Sequence, residues 1–411
     1  MAHFTLHQSK LINQKSQITI TGSKSESNRL LLLQAFFPQL KLENISNSDD
    51  SQLMAKALSS NENVVDIHHA GTAMRFLTAY FSVNKGRETI LTGSKRMKER
   101  PIKILVDALK TLGADITYEE QEGFPPIRIT GKTLKHNKVT LNANVSSQYI
   151  SALLLVATHL DNGIQLCLEG EITSVPYIKM TLALLDEIGV ENSFKDNIIT
   201  VFPKKQPIAG KTLVVESDWS SASYYFSIVA LSEIGTEITL ASYKQNSLQG
   251  DSVLVDIYKQ FGVITVFENN TITLKKTSEI DSQSVVEIDL KHAPDIAQTI
   301  AVTCFALGIR CNLFGLHTLK IKETDRLVAL KTEIEKLGGE VSITDKSLHL
   351  SASTSIKPMV SVATYNDHRM AMAFAPIALR QSIIIENAEV VSKSYPTFWD
   401  DLSLLGFNIS K

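Results

Sequence analysis

The sequence predicts an α/β protein built as two similar halves, each of three βαβαββ units, and three recurrences carry that prediction. The first is a β-type run followed by a helix that opens on small and polar residues and continues as an apolar stripe. Its openings are Gly22-Ser23-Lys24-Ser25, His69-Ala70-Gly71-Thr72, Val145-Ser146-Ser147-Gln148, Asp218-Trp219-Ser220-Ser221, Ala293-Pro294-Asp295 and Tyr365-Asn366-Asp367-His368. From the third onward they return about every 73 residues, the mark of a duplicated supersecondary unit. The second recurrence is a helix ending in an apolar residue followed by glycine, which suits a left-handed cap. It is written Leu112-Gly113, Ile188-Gly189, Phe261-Gly262, Leu337-Gly338 and Leu405-Gly406. The third is the β-type stretch after each cap, clearest where two alternating runs flank a turn pair.

Taken in order, the first unit opens at Gly22 and is the exception, ending at Leu58-Ser59-Ser60 without glycine. The second opens at His69, carries the basic run Arg96-Met97-Lys98-Glu99-Arg100-Pro101 before a helix beginning Ile102-Lys103-Ile104-Leu105, and closes at Gly113. The third runs from Val145 to the cap at Gly189. After it, the polar stretch Lys204-Lys205-Gln206-Pro207-Ile208-Ala209-Gly210-Lys211 is the best boundary between halves. The fourth unit opens at Asp218, and its hairpin pairs Ile264-Thr265-Val266-Phe267 with Thr271-Ile272-Thr273-Leu274 across Asn269-Asn270. The fifth opens at Ala293, places Lys320-Ile321-Lys322-Glu323-Thr324-Asp325-Arg326-Leu327 before an amphipathic helix, and pairs Val341–Thr344 with Ser347–Leu350 across Asp345-Lys346. The sixth opens at Tyr365 and closes at Gly406.

The chain has 411 residues, with 41 Lys and Arg against 43 Asp and Glu. That balance argues against a nucleic-acid surface, so any positive field is local. Cys167, Cys304 and Cys311 lie in apolar surroundings without C-x-x-C spacing, which reads as reduced thiols and gives no metal site. The amino terminus has no signal or transit character and no apolar run reaches membrane-spanning length, so the expectation is a cytoplasmic protein without a membrane partner.

Helix amino ends offer unpaired N–H groups and partial positive charge, so six repeated openings are repeated places for anions. Gly22-Ser23-Lys24-Ser25-Glu26-Ser27-Asn28-Arg29 lacks the spacing of a phosphate-binding P-loop; it puts Lys24, Ser25 and Arg29 near one face, for a ligand or for plain capping. The run Arg96–Pro101 is either a solvated charge cluster or an anion grip. Glu323 beside Lys322 and Arg326 is a carboxylate whose proton affinity its neighbours can set, or a dipole-favoured helix start. Metallohydrolase, serine-hydrolase and Rossmann motifs are all absent.

Taken together, Gly22-Ser23-Lys24-Ser25-x-Ser27-Asn28-Arg29, Ala70-Gly71-Thr72-Ala73-Met74-Arg75, Arg96-Met97-Lys98-Glu99-Arg100-Pro101-Ile102, Ser146-Ser147-Gln148, Lys322-Glu323-x-Asp325-Arg326 and Asn366-Asp367-His368-Arg369-Met370-Ala371 resemble the EPSP synthases, members of the enolpyruvyl transferase family. The resemblance runs in the family's order as far as Lys393. It implies an inside-out α/β barrel type of fold, with one three-repeat domain over residues 22–216 and the other over 1–21 and 217–411, and the active site in the cleft between them. It also implies transfer of the enolpyruvyl group of phosphoenolpyruvate to the 5-hydroxyl of 3-phosphoshikimate, in a monomer that needs no cofactor or metal.

By motif position the resemblance assigns Lys24, Ser25, Arg29, Ser146, Ser147, Gln148, Ser174, Asp295 and Lys322 to 3-phosphoshikimate, with Tyr177 nearby. It assigns Lys24, Gly71, Arg100, Gln148, Arg326, Arg369 and Lys393 to phosphoenolpyruvate. The expected catalytic residues are Asp295 as base on the hydroxyl, Glu323 as acid at the methylene and Lys24 beside the departing phosphate, with His368 orienting. The chain departs from the common pattern at His69, Phe76, Lys179, Thr318 and Lys320. Phe76 replaces the usual Pro, which implies a changed response to glyphosate, the family's competitive inhibitor. The related UDP-N-acetylglucosamine enolpyruvyl transferases carry a reactive Cys where this chain has Met97-Lys98-Glu99, and its three cysteines all fall elsewhere.

Overall fold

The computed structural model describes residues 3–143, 146–170, 172, 175–204, 208 and 210–411. The chain forms two compact units, one of Gly22–Val215 and one that joins the residues up to Thr21 to Glu216–Lys411.

In Gly22–Val215, the strand Val64–Asp66 runs parallel to Glu88–Thr92, and the helix Gly71–Val83 makes the crossover that parallel pairing requires. The helix Lys103–Leu112 follows, and then Asp115–Tyr118 and Ile127–Thr130 pair antiparallel, the latter against Glu88–Thr92. The spatial order of the four strands is therefore first, second, fourth, third. The same order is found for Lys138–Asn142, Ile164–Glu169, Asn192–Lys195 and Ile198–Val201.

The first unit departs from the expected grammar. Its strand Lys41–Glu43 pairs only with Thr212–Val214, in a two-stranded parallel sheet. The helix Asp49–Ser59 then leads straight to Val64–Asp66, leaving no hairpin among the described residues and no need for a glycine cap at Ser60. This pairing also corrects the boundary read at Lys204–Lys211, part of which lies outside the described residues. The chain stays registered against Lys41–Glu43 through Val214, and the Val215 amide bonds the Glu43 carbonyl at 3.0 Å. Glu216 already belongs to the other unit, where its carboxylate accepts from the Trp219 indole at 2.8 Å, the Lys244 amide at 2.9 Å and Ser247 at 2.7 Å.

The second unit uses the amino-terminal segment twice. Lys15–Ile18 is the first strand of the fourth repeat, parallel to Glu237–Ala241. Phe4–Leu6 lies between Ile383–Ile385 and Ile409–Ser410, supplying the strand that completes the sixth. The fifth repeat, Val285–Asp289, Arg310–Phe314, Val341–Ile343 and Leu348–Leu350, is continuous in sequence. The predicted glycine caps all adopt the left-handed region, from φ +73° at Gly262 to +108° at Gly406. Asn269 and Asn270, at φ +49° and +58°, make the hairpin turn whose twist matches the strands.

The helices that begin at the openings pack together inside each unit. Lys24–Phe36, Gly71–Val83 and Ser147–Ala157 touch one another in the first, and Ala297–Leu307 packs on Trp219–Ala230 and His368–Phe374 in the second. Tyr149–Ala157 and Ala297–Ala306 are buried without a break, the second with Gln298, Thr299 and Thr303 among its apolar residues. Four hydroxyls inside this packing are paired, Ser223 with Thr299 at 2.9 Å and Thr303 with Ser227 at 2.8 Å. Side chains join the openings at Ser220, Asp295 and Arg369 in one unit, and those at Thr72 and Gln148 in the other.

Candidate active site

In Gly22–Val215, Lys24 is the first residue of its helix, and its Nζ lies 3.5 Å from Oδ2 of Asp50. Ser25, half-buried beside it, accepts at its carbonyl from Nη1 of Arg29 at 2.7 Å. Arg29 is buried rather than presented on the surface of the helix. Its Nε donates to Thr181 Oγ1 at 2.8 Å, and Nη2 donates to Ser151 Oγ at 2.9 Å and the Tyr177 carbonyl at 3.4 Å. Its guanidinium carbon sits 5.4 Å from the ring centre of Phe76. Burial lowers its pKa to about 10, against the opposing fields of Tyr177 and Glu26, so it stays charged at neutral pH.

The basic run divides by role. Arg96 pairs with Glu99 at 3.0 Å and Lys98 with Glu120 at 2.6 Å, both at the surface, while Arg100 turns inward over Gly71. Nη1 of Arg100 lies 2.5 Å from where a Cβ on Gly71 would stand. The second and third openings meet where Gln148 Nε2 donates to Thr72 Oγ1 at 3.2 Å. Ser146 caps the third helix through the Gln148 amide at 3.3 Å, and Ser147 is its first residue. Ser174 lies outside the described residues. His69 has its Nδ1 2.7 Å from Nδ1 of His68 and its Nε2 3.9 Å from Oδ2 of Asp49.

Arg75 was quoted in the motif without a role, and the structure supplies one. It is buried, and it donates to the Gly71 carbonyl and the Pro101 carbonyl, each at 3.2 Å, and reaches Met97 Sδ at 3.6 Å. Tyr149 donates to the same Pro101 carbonyl at 2.7 Å. Arg75 and Tyr149 thus hold the segment that carries Arg100.

In the other unit, a dense charge cluster forms around Asp295, which sits in the single turn Pro294–Ile296. Its Oδ1 is 2.8 Å from Arg326 Nη1 and 3.2 Å from Lys322 Nζ, and its Oδ2 is 3.5 Å from Arg369 Nη2. Burial pushes the Asp295 carboxyl up, but Lys322, Arg369 and Arg326 outweigh it and hold the group well below the usual carboxylate range. Arg326 is the hub, buried, with Nη2 2.9 Å from Glu323 Oε2 and Nε 2.6 Å from Asp367 Oδ2. Its own pKa is depressed by burial and raised overall by Asp367, Glu323 and Asp295. Lys393 Nζ donates to the Asn366 carbonyl at 2.6 Å, bracing the segment that enters the helix His368–Phe374. His368 is buried with Nδ1 4.0 Å from Asp367.

Asp367 was missed as a functional residue. It caps the sixth opening through the Arg369 amide at 2.9 Å while it grips Arg326 from the fifth repeat. Its place in the Asn-Asp-His-Arg motif was the available signal. Ser220 was missed as well, since the fourth opening had no assigned residue; its Oγ lies 3.2 Å from Arg369 Nη2.

Asp295, Lys322, Glu323, Arg326 and Arg369 form one connected ion-paired group, with Lys393 bonded to the neighbouring Asn366. Lys24, Ser25 and Arg29 share one helix start, and Gly71 with Arg100 and Thr72 with Gln148 form two direct contacts in the same unit. Such a collection of cations and carboxylates can bind anions and move protons. Among the described residues no group of three or more His, Cys, Asp or Glu is placed to hold a metal ion, and no helix is long and apolar enough to cross a membrane.

The chain is similar to known proteins over nearly its whole length. The 3-phosphoshikimate 1-carboxyvinyltransferase of Bacteroides fragilis is 46% identical over 400 residues, covering 96% of each chain. The enzyme of that name from Vibrio campbellii is 34% identical over 422 aligned positions, covering 95% of this chain and 97% of its own. The fold is similar to a solved EPSP synthase from Acinetobacter baumannii, with a TM-score of 0.82, 20% identity and full coverage of both chains. It is also similar to the enolpyruvyl transferase NikO from Streptomyces tendae, with a TM-score of 0.73, 13% identity and coverage of 99% and 98%. The family description of EPSP synthase (3-phosphoshikimate 1-carboxyvinyltransferase) matches residues 55–402, and on this match and these relatives the chain belongs to the EPSP synthase family.

Proposed function

We propose that the residues described above carry out the family's reaction, transfer of the enolpyruvyl group of phosphoenolpyruvate to the 5-hydroxyl of 3-phosphoshikimate with release of phosphate. The observation that supports this most is the Asp295–Arg326–Glu323 cluster. It joins two carboxylates through one guanidinium, with Lys322 and Arg369 on the Asp295 side. A reaction between two anionic substrates needs cations to overcome their repulsion, a base for the hydroxyl and an acid for the methylene carbon.

In this reading Asp295 takes the hydroxyl proton as the oxygen attacks C2 of phosphoenolpyruvate, and Glu323 delivers a proton to C3. A tetrahedral adduct results. Glu323 then takes a proton back from the new methyl group as the bond from C2 to the phosphate oxygen breaks, and Lys24 supports the charge on the departing phosphate. Arg100, Arg326, Arg369 and Lys393 hold phosphoenolpyruvate with Lys24 and Gln148, the guanidinium groups meeting carboxylate and phosphate oxygens in forked pairs. Gly71 leaves room for Arg100. Lys24, Ser25, Ser146, Ser147, Gln148 and Ser174 hold 3-phosphoshikimate with Asp295 and Lys322, and Arg29 contributes its buried charge.

Asp295 is a poor base while three cations face it. Phosphoenolpyruvate brings negative charge to Arg326 and Arg369, so their hold on Asp295 weakens and its proton affinity rises when the substrate arrives. The enzyme then gains its base where it has a substrate to use it on.

The deciding assay is phosphate release from phosphoenolpyruvate with 3-phosphoshikimate or UDP-N-acetylglucosamine as acceptor. Turnover with the first alone is expected; turnover only with the sugar nucleotide overturns the assignment. We further propose a cytoplasmic monomer, the free cysteines supporting the compartment, with fractionation to check the compartment and light scattering the monomer.

A further inference from the structure

The fourth opening carries no residue of the substrate assignment, yet it reaches one. Ser220 Oγ lies 3.2 Å from Nη2 of Arg369, and it also bonds Oδ2 of Asp251, a buried residue in the turn Gly250–Val253. The direction of this chain is fixed by the groups in it. Arginine can only donate, so Ser220 accepts from Arg369 and has its single proton left for the Asp251 carboxylate. The turn is itself clamped to the opening, because Gln249 accepts from the Trp219 amide at 3.0 Å and donates to the Ser217 carbonyl at 2.9 Å.

The same Nη2 of Arg369 lies 3.5 Å from Asp295. Two acidic groups therefore compete for one guanidinium, one directly and one through a hydroxyl. We infer that Ser220 and Asp251 are positioning residues for Arg369, holding its guanidinium back from Asp295 in the orientation that meets phosphoenolpyruvate. This rests on the reading of Arg369 as a phosphoenolpyruvate ligand.

Burial and the charge of Asp295 push the Asp251 carboxyl up to about 6, with Asp218 adding to the rise and Arg369 and Ser220 opposing it. The groups that face Asp251 are thus Arg369, Asp295, Asp218 and Ser220. Below that pH the carboxyl is neutral, Ser220 no longer donates to a charged acceptor, and the chain of charge-assisted bonds that draws Arg369 away from Asp295 weakens. Acidification should therefore raise the KM for phosphoenolpyruvate beyond the effect of the substrate's own phosphate titration.

Steady-state kinetics of Ser220→Ala, Ser220→Thr and Asp251→Asn, each alone and combined with Arg369→Ala, test the inference. Ser220→Ala and Asp251→Asn should raise the KM for phosphoenolpyruvate on the order of tenfold while the KM for 3-phosphoshikimate moves less than about twofold. Ser220→Thr, which keeps the hydroxyl, should stay close to the parent. Asp251→Asn should remove the acid-side rise that the parent shows beyond the phosphate titration common to both. In the Arg369→Ala background none of the substitutions should add to the effect.

The inference is overturned if Ser220→Ala leaves the KM for phosphoenolpyruvate within about twofold of the parent, or shifts it by the same factor with and without Arg369. If Asp251→Asn does not fold, Ser220→Ala and its threonine control still decide. Should Arg369→Ala itself leave that KM unchanged, the ligand assignment of Arg369 is what fails, and the inference falls with it.

Discussion

The guanidinium of Arg100 occupies the space that a side chain on Gly71 would need, with Nη1 only 2.5 Å from the position of a Cβ. Glycine leaves this room to Arg100, and what a methyl group would displace is the mobile end of a long side chain. Gly71→Ala should therefore fold normally, within about 1 kcal/mol of the parent, yet push Arg100 away from the helix start. The expected outcome is a rise of about tenfold in the KM for phosphoenolpyruvate with little change for 3-phosphoshikimate, read from steady-state kinetics beside a thermal melt.

Asp295→Asn keeps the shape of the side chain and removes the base. Its kcat should fall on the order of 10²- to 10⁴-fold. The same substitution has a stability signature. The Asp295 carboxyl titrates in the folded protein well below the unfolded value of about 3.9, so its ionised form contributes stability that is fully present above that pH. That contribution is lost as the pH falls from the unfolded value through the folded one. Denaturant titrations should show the variant less stable by about 3 kcal/mol at pH 7, and the gap should narrow below about pH 4. A gap that widens on acidification would contradict the ion-pair assignment.

Glu323→Gln separates proton delivery from anion binding. Glu323 meets Arg326 at 2.9 Å, but Arg326 keeps Asp295 and Asp367 when that carboxylate is neutralised. Binding of 3-phosphoshikimate, followed by calorimetry, should change by less than about threefold while kcat falls on the order of 10²-fold or more. Equal losses in binding and turnover would reduce Glu323 to an ion-pair partner of Arg326.

Much of this arrangement is legible in the sequence because it follows local rules. The glycine caps and the Asn269-Asn270 turn are set by backbone conformations that few residues tolerate, and they appear where the pattern puts them. The pairing of Lys15–Ile18 with Glu237–Ala241, and of Phe4–Leu6 with Ile383–Ile385, was not legible, because strands so far apart in sequence carry no local mark of their partner. The boundary read at Lys204–Lys211 went astray on polarity, where what matters is the pairing of the next strand. Site residues divide in the same way. Lys24, Gly71 and Arg369 stand in recognisable openings, whereas the reach of Asp367 to Arg326 and of Ser220 to Arg369 depends on helices packed side by side. The burial of Arg29 was hidden too, since its partners Ser151 and Thr181 come from other helices.

Phe76 completes the surroundings of Arg29 from below, with its ring centre 5.4 Å from the guanidinium carbon and its side chain fully buried. Burying a guanidinium is costly, and an aromatic face offsets part of that cost where a hydrogen bond cannot reach. Phe76→Leu keeps an apolar side chain and the helix but removes the face and some volume, so denaturant unfolding should show a loss of about 1–2 kcal/mol. Combination with Arg29→Met isolates the contact, with an expected coupling of about 0.5–2 kcal/mol between the two sites. Phe76→Pro acts differently. It removes a helix-interior N–H in Gly71–Val83, costing about 3 kcal/mol, and disturbs the turn that holds Gly71 and Thr72. Inhibition by glyphosate should change in this variant relative to the parent, and identical inhibition constants would separate Phe76 from the space around phosphoenolpyruvate.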